Sequence, residues 1–140
     1  VQVEAASAED AVAGADVVVT ATTSRVPVFE GRGLSPGAHV TAVGAFTPDT
    51  RELDAETMRA TVFVDHRASA LAEAGELRDV DPTRLWEIGD VAAGRVPGRS
   101  RPDERTVFKS VGNAIQDLVV AARVYEVARA LGLGEDIAFP

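Results

Sequence analysis

Four places in this chain directly follow an apolar, β-branched run with residues that could contact a ligand: Ala21-Thr22-Thr23-Ser24, Val43-Gly44-Ala45, Asp65-His66 and Ser110-Val111-Gly112-Asn113. In open parallel sheets, ligands bind beyond the carboxyl ends of the strands, which makes each cluster a candidate contact. Gly44 has no side chain, so a flat ligand could approach its backbone closely. Ser110–Asn113 leads into a helix N-terminus, where free N–H groups favour a polar or anionic ligand. Tight turns draw on the same residue types, so spacing alone names no ligand.

Other catalytic parts are sparse. His39 opens a strand and His66 opens a helix, so both read as solvated or capping groups rather than partners of a nucleophile. No pair of histidines has metal-ligand spacing, and the acidic residues are scattered as caps and solvated faces. Neither G-x-G-x-x-G nor G-x-x-x-x-G-K-[ST] occurs. Gly31-Arg32-Gly33 and Gly132-Leu133-Gly134 follow no strand and read as turns. With no cysteine among 140 residues, disulfides, thiolate metal sites and cysteine nucleophiles are excluded, as fits a cytoplasmic protein. Fourteen basic against 22 acidic residues give a net charge of −8, which speaks against nucleic acid as a partner. No apolar run approaches the roughly 18 residues of a membrane span.

The elements that must position these clusters alternate. Ser7 and Asp10 have capping-box spacing before a short helix closed by Gly14. Ala15–Thr22 then reads as a strand buried on both faces, because its β-branched run lacks polar alternation. Gly37–Ala45, Thr61–Asp65 and Thr106–Ser110 are three further strands. Asp54 caps a short helix to about Arg59, another helix runs from about Arg67 to Ala74, and Asp81-Pro82 starts one carrying Leu85 and a core Trp86. The longest helix spans Asn113 to Leu131, and its two apolar stripes predict burial on two sides. Strands alternating with helical crossovers imply an α/β fold with a mostly parallel sheet. Val1-Gln2-Val3 reads as the tail of a strand, which raises the expectation that the chain is part of a longer one.

The blocks Ala15–Ser24, Pro36–Ala45, Arg51–Asp54 and Thr106–Leu118 together resemble the ornithine cyclodeaminase/mu-crystallin family, in family order and spacing. The resemblance implies a partial Rossmann-like, doubly wound sheet with a long C-terminal helix. Residues 1–112 would be the second half of an NAD(P)-binding domain, and 113–140 would lead back toward a substrate and dimerisation domain. It also implies NAD or NADP as cofactor, a small amino or imino acid as substrate, and a homodimer. The glycine-rich fingerprint would lie upstream, so the 140 residues alone are expected to be inactive.

Position by position, the resemblance places Thr22 near the adenosine and ribose side of the cofactor. It sets Val43, Gly44 and Ala45 against the nicotinamide, and Ser110, Val111 and Gly112 in a turn closing over it. Phe46, Thr47 and Glu87 fall on the substrate side. Ornithine cyclodeaminases and related alanine dehydrogenases carry an aspartate in the pattern V-G-x-D, where this chain has Phe46. A phenylalanine can neither transfer a proton nor pair with an ammonium, which favours reduction of a cyclic ketimine over deaminating cyclisation. A protein that binds nucleotide and a small ligand without turnover is the third expectation.

Overall fold

A computed structural model describes residues 2–138. Five strands form one parallel sheet: β1 (Val17–Thr20), β2 (His39–Ala42), β3 (Thr61–Val64), β4 (Leu85–Glu87) and β5 (Thr106–Lys109), in the spatial order β1-β2-β5-β3-β4. The last strand in sequence is thus central in space. Four helices accompany the sheet: α1 (Ala8–Val12), α2 (Arg67–Glu73), α3 (Ile88–Ala92) and α4 (Ala114–Leu131). The sheet and its long C-terminal helix are those of a Rossmann-like α/β fold.

Register explains both the core and the alignment of the strand ends. Val18, Val40, Val107, Val62 and Leu85 lie side by side across the sheet, and two residues further on lie Thr20, Ala42, Lys109, Val64 and Glu87. Residues two apart share a face, so both rows point the same way. Val40, Val62, Val107 and Leu85 are at most 1% exposed, and Leu34, Leu53, Met58, Ala70, Ala74 and Leu77 join them in one cluster. Cutting Leu53, Leu77 or Leu85 back to alanine would cost about 2–5 kcal/mol each. The second row ends every strand at the same level, so all strand-end loops emerge along one edge.

Local signals set the elements' ends. Ser7 Oγ accepts from Asp10 N–H at 3.1 Å ahead of α1, and the ring of His66 accepts from Ser69 N–H ahead of α2, the capping role expected of it. Asn113 Oδ1 accepts from Ile115 N–H at the start of α4. Gly132 closes α4 at φ 65°, a conformation that glycine adopts without strain.

Several expectations need correction. Asp81 does cap through Thr83 N–H, but Pro82–Arg84 makes only one 3-10 turn, and Leu85–Glu87 is a strand rather than helix. Arg67 supplies the reason, because its guanidinium donates to the Leu85 carbonyl at 2.7 Å and β4 adds to the edge of β3. Trp86 is therefore on an edge strand and 39% exposed, not core. β1 is not buried on both faces: as the opposite edge strand it turns Val18 and Thr20 to the core, while Val17 and Val19 stay 60% and 65% exposed. The two stripes of α4 are not buried either; the helix holds no buried residue, and Leu118 and Val124 are 62% and 61% exposed. Its capped ends stabilise it locally, and its apolar side chains remain open. Gln2 and Val3 are exposed and outside any strand, while Val1 lies outside the described residues.

Candidate functional site

All four sequence clusters lie along the carboxyl edge, because every strand runs the same way. Two form facing rims held by a residue that belongs to neither. Glu52, fully buried, accepts from Thr22 N–H at 2.6 Å with one carboxylate oxygen and from Gly44 N–H at 2.7 Å with the other. One side chain thereby ties the loop after β1 to the loop after β2. Burial alone would push the Glu52 carboxyl up, but the hydrogen bonds from Thr22 and Gly44 outweigh it and hold the group below its ordinary value. Glu52 also fixes the outer loop through its backbone, since Val28 N–H donates to its carbonyl at 2.9 Å.

Gly44 is required for a different reason from the one its sequence context suggests. A Cβ there would sit 2.1 Å from Thr22 O and 2.2 Å from Thr22 N. The close approach is between two loops of the chain itself, and it lets Glu52 bridge them. Val43 stays 43% exposed at the lip, Ala45 is fully buried, and Phe46 projects at 54% exposure. Thr47 is half-buried and folded onto Thr50, whose hydroxyl accepts from Thr47 N–H at 3.1 Å.

Asp65 shapes the fourth cluster in the same manner. One of its oxygens accepts from Ser110 Oγ at 2.8 Å, Val111 N–H at 3.1 Å and Gly112 N–H at 2.8 Å. The anion favoured near the N-terminus of α4 is therefore this chain's own carboxylate, and an external phosphate would have to displace it. Gly112 has φ 85°, a conformation that glycine adopts without strain, and nothing lies within 4 Å of where a Cβ would stand. Thr22, Val43–Ala45 and Ser110–Gly112 are thus brought to one edge, whereas Glu87 ends the far edge strand and accepts from Arg67 N–H at 2.8 Å.

Beneath the rims lies a cluster that the sequence reading missed. Lys109 ends the central strand with its side chain fully buried. Its ammonium donates to the Ala45 carbonyl at 2.6 Å and stands 3.4 Å from a Glu76 oxygen, whose side chain is also fully buried. Burial pushes the Glu76 carboxyl up; the Lys109 charge opposes this and burial wins. The available signal was a lone lysine closing the otherwise apolar run Val107-Phe108 at a position that alternation assigns to the core face.

Among the described residues, no group of three His, Asp or Glu side chains converges as metal ligands, and no helix is long and apolar enough to cross a membrane. The edge offers apolar lips of fixed shape, with most of their backbone donors already engaged.

Comparison with known proteins agrees with this architecture. Ketimine reductase mu-crystallin of Mus musculus is 45% identical over 121 residues, covering 86% of this chain and 38% of the relative. A Delta(1)-pyrroline-2-carboxylate reductase of Bacillus cereus is 38% identical over 143 residues, covering 96% of this chain and 44% of the relative. The structure of Thermococcus litoralis Delta(1)-pyrroline-2-carboxylate reductase, in complex with NADH and L-proline, superposes with a TM-score of 0.85 at 34% identity. That match covers 94% of this chain and 43% of the other. The chain thus spans about two-fifths of the length of these relatives. The family model for the ornithine cyclodeaminase/mu-crystallin family matches residues 1–132, and the chain belongs to that family.

Proposed function

We propose that the protein containing this chain is an NAD(P)-dependent reductase acting on the C=N bond of a cyclic ketimine. Residues 1–112 supply the later half of its dinucleotide cleft, and 113–140 lead toward a substrate-binding, dimer-forming part. The carrying observation is the set of rims at the strand ends, locked by Glu52 and Asp65, with Phe46 where the cyclodeaminase pattern has its acid. Both reductase relatives and the structure bearing NADH and L-proline support the reading.

The residues fit one end of the cofactor better than the other. Val43 and Val111 offer apolar surface, and the open side of Gly112, with no chain atom near its Cβ position, leaves room for a flat ring. The N–H groups of Thr22, Gly44, Val111 and Gly112 are engaged by carboxylates, so these rims receive a nicotinamide by shape and not a pyrophosphate by hydrogen bonding. When bound, the reduced cofactor would pass a hydride to the carbon of an imine already protonated on nitrogen by solvent, leaving the oxidised nicotinamide and the cyclic amine. The chain's own contribution is placement: Val43–Ala45 and Ser110–Gly112 fix the ring plane, and Thr22 sits toward the nucleoside. Phe46 carries no proton to give and presents an aromatic wall to the substrate, which suits a flat cyclic imine better than a flexible diamine.

The test is steady-state kinetics of the full-length protein with cyclic imino acids, following loss of reduced nicotinamide. Saturable reduction with formation of the cyclic amino acid is the expected result. Release of ammonia from ornithine without reduction of any cyclic imine would refute the proposal in favour of deaminating cyclisation.

A further inference from the structure

The Lys109–Glu76 pair is left unexplained by packing. A methionine or leucine could fill a similar volume on the core face of β5 without removing a charge from water, and buried ion pairs are often no more stabilising than such replacements. Lys109 nevertheless stands fully buried at the end of the central strand. Neither Glu76 oxygen accepts a hydrogen bond of good geometry among the described residues, so the carboxylate serves as a counter-charge. The directed contact is at the other side of the ammonium, which donates to Ala45 O at 2.6 Å and lies 3.4 Å from Ala42 O. Those carbonyls bracket Val43-Gly44, the lip of the second rim. Glu52 holds that lip from the side through Gly44 N–H, and Lys109 holds it from below.

We propose that Lys109 is a positioning residue, with Glu76 as its counter-ion, that sets the height and tilt of Val43–Phe46 against the nicotinamide ring. The proposal rests on the nucleotide-binding reading above and adds the device that places the rim. Lys109 touches neither cofactor nor substrate in this scheme. It acts through the Ala45 carbonyl, and a small displacement of that peptide moves both the lip and the aromatic wall of Phe46.

Lys109→Met alone strands a buried carboxylate, so the informative protein is the full-length double variant Lys109→Met/Glu76→Leu, with Glu76→Gln beside it. The double variant is expected to fold, with kcat for cyclic imine reduction down about tenfold and KM for the imine within about twofold, as loss of alignment predicts. Amide hydrogen exchange at Val43–Phe46 is expected to speed about tenfold relative to the rest of the sheet. A primary isotope effect with 4-deuterated cofactor should rise as the hydride step becomes limiting. Unchanged exchange in the rim, or unchanged kcat despite faster exchange, would overturn the proposal. Should the wild type reduce no cyclic imine, the reductase reading fails, while the exchange comparison still decides whether Lys109 holds the rim.

Discussion

Glu52→Gln preserves side-chain volume and removes one capability: accepting two N–H groups with two equivalent oxygens. In the native chain these are Thr22 N–H at 2.6 Å and Gly44 N–H at 2.7 Å. A carboxamide can accept one of them; its NH2 then faces the other donor. The loss is one charge-assisted hydrogen bond, about 1.5–3 kcal/mol, plus a stranded buried N–H, about 1–3 kcal/mol. Relief from burying a charge offsets part of this, leaving a net cost of about 2–4 kcal/mol. For a chain of this size that is roughly a 10 °C fall in Tm. Urea denaturation followed by circular dichroism across a pH series reads it directly. Glu52 has its folded pKa below the ordinary 4.5, so its stabilisation is present above that value and lost as pH falls through the folded pKa. The gap between wild type and variant should hold steady above the ordinary value and close below it. A gap under about 0.5 kcal/mol at neutral pH, the scale of an ordinary surface substitution, would refute the bridging role. So would a gap that ignores pH.

Three other outcomes follow from the same geometry. Gly44→Ala places a Cβ 2.1 Å from Thr22 O, forcing the two rims apart, and should lower stability by about 3 kcal/mol or more in the same denaturation assay. Asp65→Asn should cost about 2 kcal/mol and accelerate amide exchange at Val111 and Gly112, since a carboxamide oxygen is a weaker acceptor for the three donors it holds. Glu104 is held down to about 2 from its ordinary 4.5, chiefly by hydrogen bonds from Thr61 and Ser100. Its contribution is therefore complete above 4.5 and lost as pH falls toward 2, so Glu104→Gln should show a shallower acid decline than wild type between those values.

The parallel sheet was legible because Val17-Val18-Val19, Val40-Thr41-Ala42, Val62-Phe63-Val64 and Val107-Phe108 are runs that only strands explain at such short length. Register brought their four trailing clusters together without further information. β4 was hidden: Asp81-Pro82 is a sound helix start, and nothing within three residues of Leu85-Trp86-Glu87 announces that the turn stops after Arg84. The guanidinium of Arg67 that braces Leu85 comes from 18 residues away, beyond any local pattern. Periodicity gave the apolar stripes of α4 correctly but not what faces them. Likewise the run of valines in β1 says nothing about its place at the sheet edge.

The site was half legible for a similar reason. Thr22, Gly44 and Ser110–Gly112 announce themselves as small residues after strands. The bracing roles of the groups that hold them do not: Glu52 comes from a loop, Asp65 from a neighbouring strand end, and Glu76 from a 3-10 turn after α2. Glu52 and Glu76 look like solvated acids in sequence, and Asp65 like a ligand contact rather than a brace. Burial and the partners that reverse that reading arise only when distant segments meet, and the deviation of Glu52 and Glu76 in opposite directions shows how partners decide.

A crystal structure of the full-length protein with NADH would show which rims receive the ring. The nicotinamide ring is expected between Val43–Ala45 and Ser110–Gly112, with Glu52 and Asp65 still bound to the backbone N–H groups they hold here. A ring lodged elsewhere, or either carboxylate swung out to contact the cofactor, would contradict this placement.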